Sequence, residues 1–90
     1  MDMDYKGDKE MPTIDMTATG RRLREFRDDN GFTTRELMDI FGFNNPNAIY
    51  KWFRGEALPT VDNLVILADA FEVPIDDLLV IRRNTDTAVA

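Results

Sequence analysis

The chain has 90 residues, which allows one domain built on one small core. It contains no cysteine and no histidine, which excludes disulfides, thiolate zinc sites, cysteine nucleophiles and the commonest general base. Its formal net charge of −6 points away from nucleic acid, because surfaces that bind phosphate are usually basic.

The charge is unevenly spread, and the distribution matters more than the sum. Residues 17–55 carry seven basic side chains against five acidic ones, a local net of +2. Residues 56–81 carry six acidic side chains and no basic one. One half can face phosphate while the other faces water. The 43% hydrophobic content suits a globular chain. No apolar run approaches the roughly 18 residues of a membrane span. The acidic, polar N-terminus is not a secretory signal. A soluble cytoplasmic protein, without membrane association, is the expectation.

Residues 1–14, MDMDYKGDKEMPTI, have no helical or strand periodicity and are expected to be a flexible acidic tail. The first helix should run from Asp15 or Thr17 to Asp29, with Leu23 and Phe26 inward and Met16 and Thr19 on the same side. Asn30-Gly31 is a helix stop, since both residues tolerate the left-handed conformation. Arg21, Arg22, Arg24 and Arg27 wind around more than one face, as solvated side chains do. Thr33-Thr34-Arg35-Glu36 is a capping box opening the second helix, which runs to Phe41 with Leu37, Ile40 and Phe41 inward. Gly42 ends it, and Phe43 should plug the core from the turn.

Asn45-Pro46 opens the third helix, with Asn45 as its cap and Pro46 as its first residue. Ala48, Ile49 and Trp52 form its buried stripe. Asn47, Tyr50, Lys51 and Arg54 form the opposite one, and Gly55 closes it. Thr60 caps a fourth helix with Leu64, Leu67, Ala68 and Phe71 inward. Val73-Pro74 breaks the chain before a short fifth helix with Ile75, Leu78 and Leu79 inward. Residues 84–90 read as a frayed end, and no strand pattern or internal repeat appears. The expected fold is therefore all-α: a compact five-helix bundle over residues 15–83, with tails at 1–14 and 84–90.

Two short helices joined by a few residues with a glycine make a compact corner, and the second helix of such a corner can enter the major groove of DNA. The polar stripe has side chains for that task. Asn47 can pair with adenine, Lys51 can donate to guanine or phosphate, and Tyr50 can hydrogen-bond or pack on a thymine methyl. Arg54, at the helix end, is better placed for phosphate. By periodicity alone the stripe is an ordinary wet helix face. Trp52 lies on the core side and is read as packing, not base stacking. The pairs Asp28-Asp29 and Asp76-Asp77 lack the spacing of a metal loop.

The chain resembles the lambda repressor-like, or Xre-type, helix-turn-helix DNA-binding family over about residues 16–80. The resemblance rests on GRRLREFRDDNGFTTRELMDIFG and AIYKWFRGEALPTVDNLVILADAFEVPIDDLL. Within these stand Arg-Leu-Arg, Gly-Phe-Thr, Ile-x-x-Trp-x-Arg-Gly, Leu-Pro-Thr-x-x-Asn-Leu and Val-Pro-x-Asp-x-Leu-Leu. It implies a small transcriptional regulator that binds double-stranded DNA as a homodimer, without cofactor or small-molecule ligand. It also implies base contacts from Asn47, Tyr50 and Lys51. Phosphate contacts are implied near Thr34 and Arg54, with Arg35 and Asn45 beside them.

The chain departs from the family pattern at four places. Thr34 stands where a phosphate-contacting glutamine is common. One extra residue lies between Gly42 and Ile49, and Met38 takes a position usually small. Phe53 replaces a glutamate that pairs with the first-helix arginine, which leaves Arg27 either to stack on Phe53 or to point into solvent. Val65, Ile66, Val80 and Ile81 are either scattered surface hydrophobics or a two-fold dimer patch. The alternative function is a protein-interaction module on the same fold, such as an antitoxin-like partner using its acidic surface. An enzyme is not expected.

Overall fold

The computed structural model describes residues 11–83; the expectations for most of the N-terminal tail and for residues 84–90 lie outside them. In chain order the elements are strand β1 (Thr13–Ile14), helices α1 (Met16–Asn30), α2 (Thr34–Phe41), α3 (Asn47–Arg54) and α4 (Val61–Phe71), a 3₁₀ turn (Ile75–Leu78), and strand β2 (Ile81–Arg82). Each α-helix starts and stops on local chemistry. Asp15 caps α1 by accepting from the Ala18 amide at 3.0 Å. Thr33 and Glu36 form the reciprocal capping box at 3.0 and 2.8 Å. Thr60 caps α4 by accepting from the Asn63 amide at 3.3 Å.

The helices α1 to α4 all end in the same double-bonded turn, in which the capping residue adopts a left-handed φ. Glycine takes that place at 31, 42 and 55, and Glu72 takes it after α4 with φ 60°. The next residue folds back onto the core at three of these ends, as Phe32, Phe43 and Val73. The helices thus bury one face each around a core of Leu23, Leu37, Ile49, Trp52, Phe53, Leu64, Leu67, Phe71 and Leu78.

The fifth helix is not an α-helix. Ile75–Leu78 is a single 3₁₀ turn, and Leu79 is already extended with ψ 137°. The cause lies at the other end of the chain. β1 and β2 pair antiparallel, with Thr13 opposite Arg82 and Ile14 opposite Ile81. The Asp15 amide donates to the Val80 carbonyl at 2.8 Å. The fully buried Thr19 hydroxyl accepts from the Val80 amide at 3.0 Å. Arg22 donates to the carbonyls of Asp77 and Leu79 at 3.0 and 3.4 Å, so it clasps this segment rather than extending into water. Strands were not expected, because two residues are too few to leave an alternating pattern.

Two apolar residues expected inside are outside. Ile40 is 42% exposed and Ile75 37%. On α2 the inward stripe is Leu37, Met38 and Phe41, all packed on the core. Met38 shifts the centre of that stripe, and Ile40 then lies roughly 100° away from it at about 100° per residue. Ile75 opens a turn too short to turn both its apolar ends inward, and Leu78 takes the buried place.

Candidate nucleic-acid interface

The corner that carries the site is built from α2, residues 42–46 and α3. Phe41 closes α2, Phe43 lies in the turn, and Trp52 lies on the inner face of α3. Phe41 and Phe43 stack at 5.2 Å between ring centroids. Trp52 meets both edge-on, at 5.4 and 5.9 Å. This cluster ties the two helices together on the side away from solvent. From behind, α1 approaches so closely that a Cβ on Gly20 would stand 2.5 Å from the Trp52 carbonyl oxygen and 2.6 Å from that of Phe53. The orientation of α3 is therefore fixed by backbone contact as well as by side chains.

α3 starts one residue later than the sequence suggests. Pro46, with φ −89° and ψ 9°, takes the cap position expected of Asn45 and has no side-chain cap bond, while Asn45, one residue earlier, accepts from the Asn47 amide at 3.0 Å. Ile49 and Trp52 are buried, as the apolar stripe predicts, and Phe53 is buried beside them. Asn47, Tyr50, Lys51 and Arg54 are all exposed on the opposite side, and Asn45 and Arg35 are exposed nearby. Thr34, the first residue of α2, is half-buried.

The cations of this surface differ in how free they are. Arg54 is held by Glu56 in a two-point pair, Nε to Oε2 at 2.6 Å and Nη2 to Oε1 at 3.1 Å. The left-handed turn at Gly55 brings Glu56 back alongside Arg54. The hydrogen bonds from Arg54 hold the Glu56 carboxyl below the usual carboxylate range, with Arg54 and Lys51 adding charge attraction. The bonded Glu56 in turn raises Arg54. Since the Glu56 pKa is depressed on folding, the pair is present at neutral pH and is lost as pH falls through the folded-state value. Arg35 has only a loose contact with Asp39 at 3.9 Å, both being largely exposed. Lys51 forms no ion pair among the described residues.

Arg27 resolves one open alternative: its guanidinium carbon lies 4.9 Å from the centre of the Phe53 ring. It also donates to Asp28 Oδ1 from Nε and Nη2, at 3.0 and 2.8 Å, and to the Thr34 hydroxyl from Nη1 at 3.2 Å. Two features of the site escaped the sequence reasoning. The Arg27–Thr34 bond joins separate helices and leaves no local mark. Glu56 belongs to the acidic half by composition, though the Arg-Gly-Glu order around a left-handed glycine could have signalled the pair. Val65, Ile66 and Ile81 are exposed, and Val80 is half-buried. No helix among the described residues is long and apolar enough to cross a membrane.

A helix-turn-helix family model matches residues 23–78, more than half of the chain. An inferred HTH-type transcriptional regulatory protein of Pyrococcus furiosus is 30% identical over 56 residues, 62% of this chain. The chain spans only 18% of that relative's length. Among solved structures, the restriction-modification controller protein C.AhdI from Aeromonas hydrophila has TM-score 0.62 at 26% identity, covering 71% of this chain and 96% of that one. The BldD DNA-binding domain of S. venezulae has TM-score 0.60 at 26% identity, covering 72% and 96%. The clp gene regulator ClgR from C. glutamicum has TM-score 0.59 at 28% identity, covering 70% and 80%. With the model match spanning the capped corner and the core helices around it, the chain belongs to the lambda repressor-like, Xre-type helix-turn-helix family.

Proposed function

We propose that the chain is a transcriptional regulator that binds double-stranded DNA with α3 in the major groove. The observation that carries this reading is the stripe of Asn47, Tyr50, Lys51 and Arg54, exposed on a helix whose other face is locked into the core. Asn47, Tyr50 and Lys51 read base edges in this proposal. Thr34, Arg35, Asn45 and Arg54 meet phosphates on either side. The names of the structural neighbours, a controller protein, a DNA-binding domain and a gene regulator, support the same reading.

The electrostatics set the terms of binding. With the net charge at −6, most of the surface repels DNA, so contact is confined to the corner. Two or three cationic phosphate contacts per protomer give a salt slope of about −2 to −3 in log affinity against log salt, shallower than that of a basic binder. The acidic residues of 62–81 then turn away from the duplex, and Glu56 alone stays at the edge of the corner, on Arg54. A second reading, a protein-interaction module that uses this acidic surface, is favoured by the Glu56 carboxylate already seated on Arg54.

A gel-shift series against duplexes from around the coding locus separates the two. Asn47→Ala and Lys51→Ala should each weaken specific binding by roughly 5- to 100-fold, the range for losing one base-reading contact. Glu56→Gln should tighten binding and steepen the salt slope by up to about 0.9, because Arg54 is released to phosphate. If the parent binds no duplex at low salt, or both alanine variants bind specific sites like the parent, the major-groove reading fails.

We also propose that Val65, Ile66, Val80 and Ile81 form the contact of a two-fold homodimer. The support is the exposed aliphatic surface of Val65, Ile66 and Ile81, with Val80 half-buried beside Ile81, in the acidic C-terminal half of the chain. Sedimentation at several concentrations should give a dimer for the parent and a monomer for Ile66→Asp. A parent that is strictly monomeric with and without DNA refutes this interface.

A further inference from the structure

Thr34 stands where the family commonly has a long amide side chain that reaches phosphate. A threonine is short and carries a single donor, so its usefulness depends on where its proton points. A hydroxyl has one donor and two acceptor lone pairs, and it rotates to suit its neighbours. Here one neighbour leaves no freedom of sense. Arg27 Nη1 donates to Thr34 Oγ1 at 3.2 Å, and a guanidinium never accepts. The Thr34 proton must therefore point away from Arg27.

Arg27 is itself held from three directions. The Phe53 ring lies under its guanidinium carbon at 4.9 Å. Asp28 Oδ1 accepts from Nε and Nη2 along one edge. Thr34 accepts from Nη1. The side chain is only 20% exposed, and its charge is already matched by Asp28 at 2.8 Å. A guanidinium that is stacked, paired and largely covered is poorly placed to meet a phosphate itself, but well placed to fix a neighbour.

We propose that Arg27 is a positioning residue for the phosphate-contacting edge of the interface. It occupies the acceptor side of the Thr34 hydroxyl and presents that hydroxyl to the DNA backbone as a donor, while Phe53 is the platform that keeps the guanidinium in place. Two departures from the family pattern, Thr34 and Phe53, then become one device spanning α1, α2 and α3. The inference rests on the DNA-binding reading above and adds to it a specific orientation at one contact.

The test is a double-mutant cycle on the same locus duplexes, titrated between low and moderate salt. Thr34→Val and Arg27→Met should each weaken binding by about tenfold, the loss of one hydrogen bond to a charged group. The double variant should bind no more weakly than either single one, and Thr34→Ser, which keeps the hydroxyl, should recover most of the binding that Thr34→Val loses. The salt slope should stay at the parent value in all of them, because neither side chain neutralises a phosphate. A slope reduced by about 0.9 in Arg27→Met makes Arg27 a direct phosphate contact and overturns the proposal. Losses that add in the double variant, or Thr34→Val binding like the parent, overturn it too. Should Arg27→Met melt early, the cycle is run with Phe53→Leu, which loosens the platform and keeps the donor; its loss should vanish in the Thr34→Val background. Binding that depends on Lys51 and Asn47 but not on Thr34 sinks this inference alone, whereas no binding at all sinks the DNA reading itself.

Discussion

Trp52→Ala is expected to destabilise the domain by about 3–5 kcal/mol, the usual range for deleting a buried large aromatic ring. Trp52 is 5% exposed and is the only tryptophan of the chain. Its ring closes the corner by meeting Phe41 and Phe43 edge-on at 5.4 and 5.9 Å. Each such aromatic pair adds about 0.5–1.5 kcal/mol beyond area burial. A domain of this size has a total stability of only roughly 4–11 kcal/mol, at about 0.05–0.15 kcal/mol per residue. The variant should therefore be partly or wholly unfolded near 40 °C. Urea unfolding followed by circular dichroism measures this without needing the lost fluorophore. Trp52→Phe keeps a ring against Phe41 and Phe43 and should lose clearly less. A loss under about 1 kcal/mol for Trp52→Ala would mean that the cluster does not fix the corner.

Gly20→Ala should cost about 3 kcal/mol, at the upper end of the range for overpacking a tight site. Helix propensity alone predicts the opposite, a gain of roughly 0.5–1 kcal/mol for alanine over glycine inside a helix. The added Cβ decides the matter, because it would lie 2.5 and 2.6 Å from the carbonyl oxygens of Trp52 and Phe53 and 2.9 Å from the Gly55 amide nitrogen. These are backbone atoms, so no rotamer change relieves the contact and α1 must move away from α3. Gly31→Ala is the informative comparison. Nothing lies within 4 Å of a Cβ there, and only the left-handed φ of 73° penalises it. That strain is worth about 1–2 kcal/mol. If Gly20→Ala is neutral or stabilising, the close approach that sets α3 is not rigid, and the exposed stripe loses its fixed orientation.

The same two positions mark the boundary of what could be read locally. Thr33, Glu36, Gly31, Gly42 and Gly55 specify where helices start and stop through bonds that reach only a few residues along the chain. The faces of α3 follow from its spacing, and the structure puts Ile49 and Trp52 inside and Asn47, Tyr50, Lys51 and Arg54 outside. Such features are legible because the chemistry and its partner lie in one window of sequence. Helix membership of Gly20 is equally legible, but its necessity is not, since the atoms that forbid a side chain there belong to α3.

The amino-acid sequence by itself determined the four capped helices, the apolar faces that make the core, the exposed stripe of α3 and the split of charge between corner and C-terminal half. Only the tertiary structure decided that the last helix is a 3₁₀ turn feeding a strand, and that Arg22 and Thr19 tie that strand to α1. It alone decided that Ile40 lies outside, that Arg27 stacks on Phe53 and bonds Thr34, and that Glu56 seats on Arg54. The physical reason is range. The β1–β2 pairing and the Arg22 and Thr19 bonds join residues more than fifty positions apart, and each rests on only one or two contacts between groups that water could satisfy equally well. A capping box repeats its signal within four residues, whereas a long-range bond has a signal only when the fold brings its two ends together.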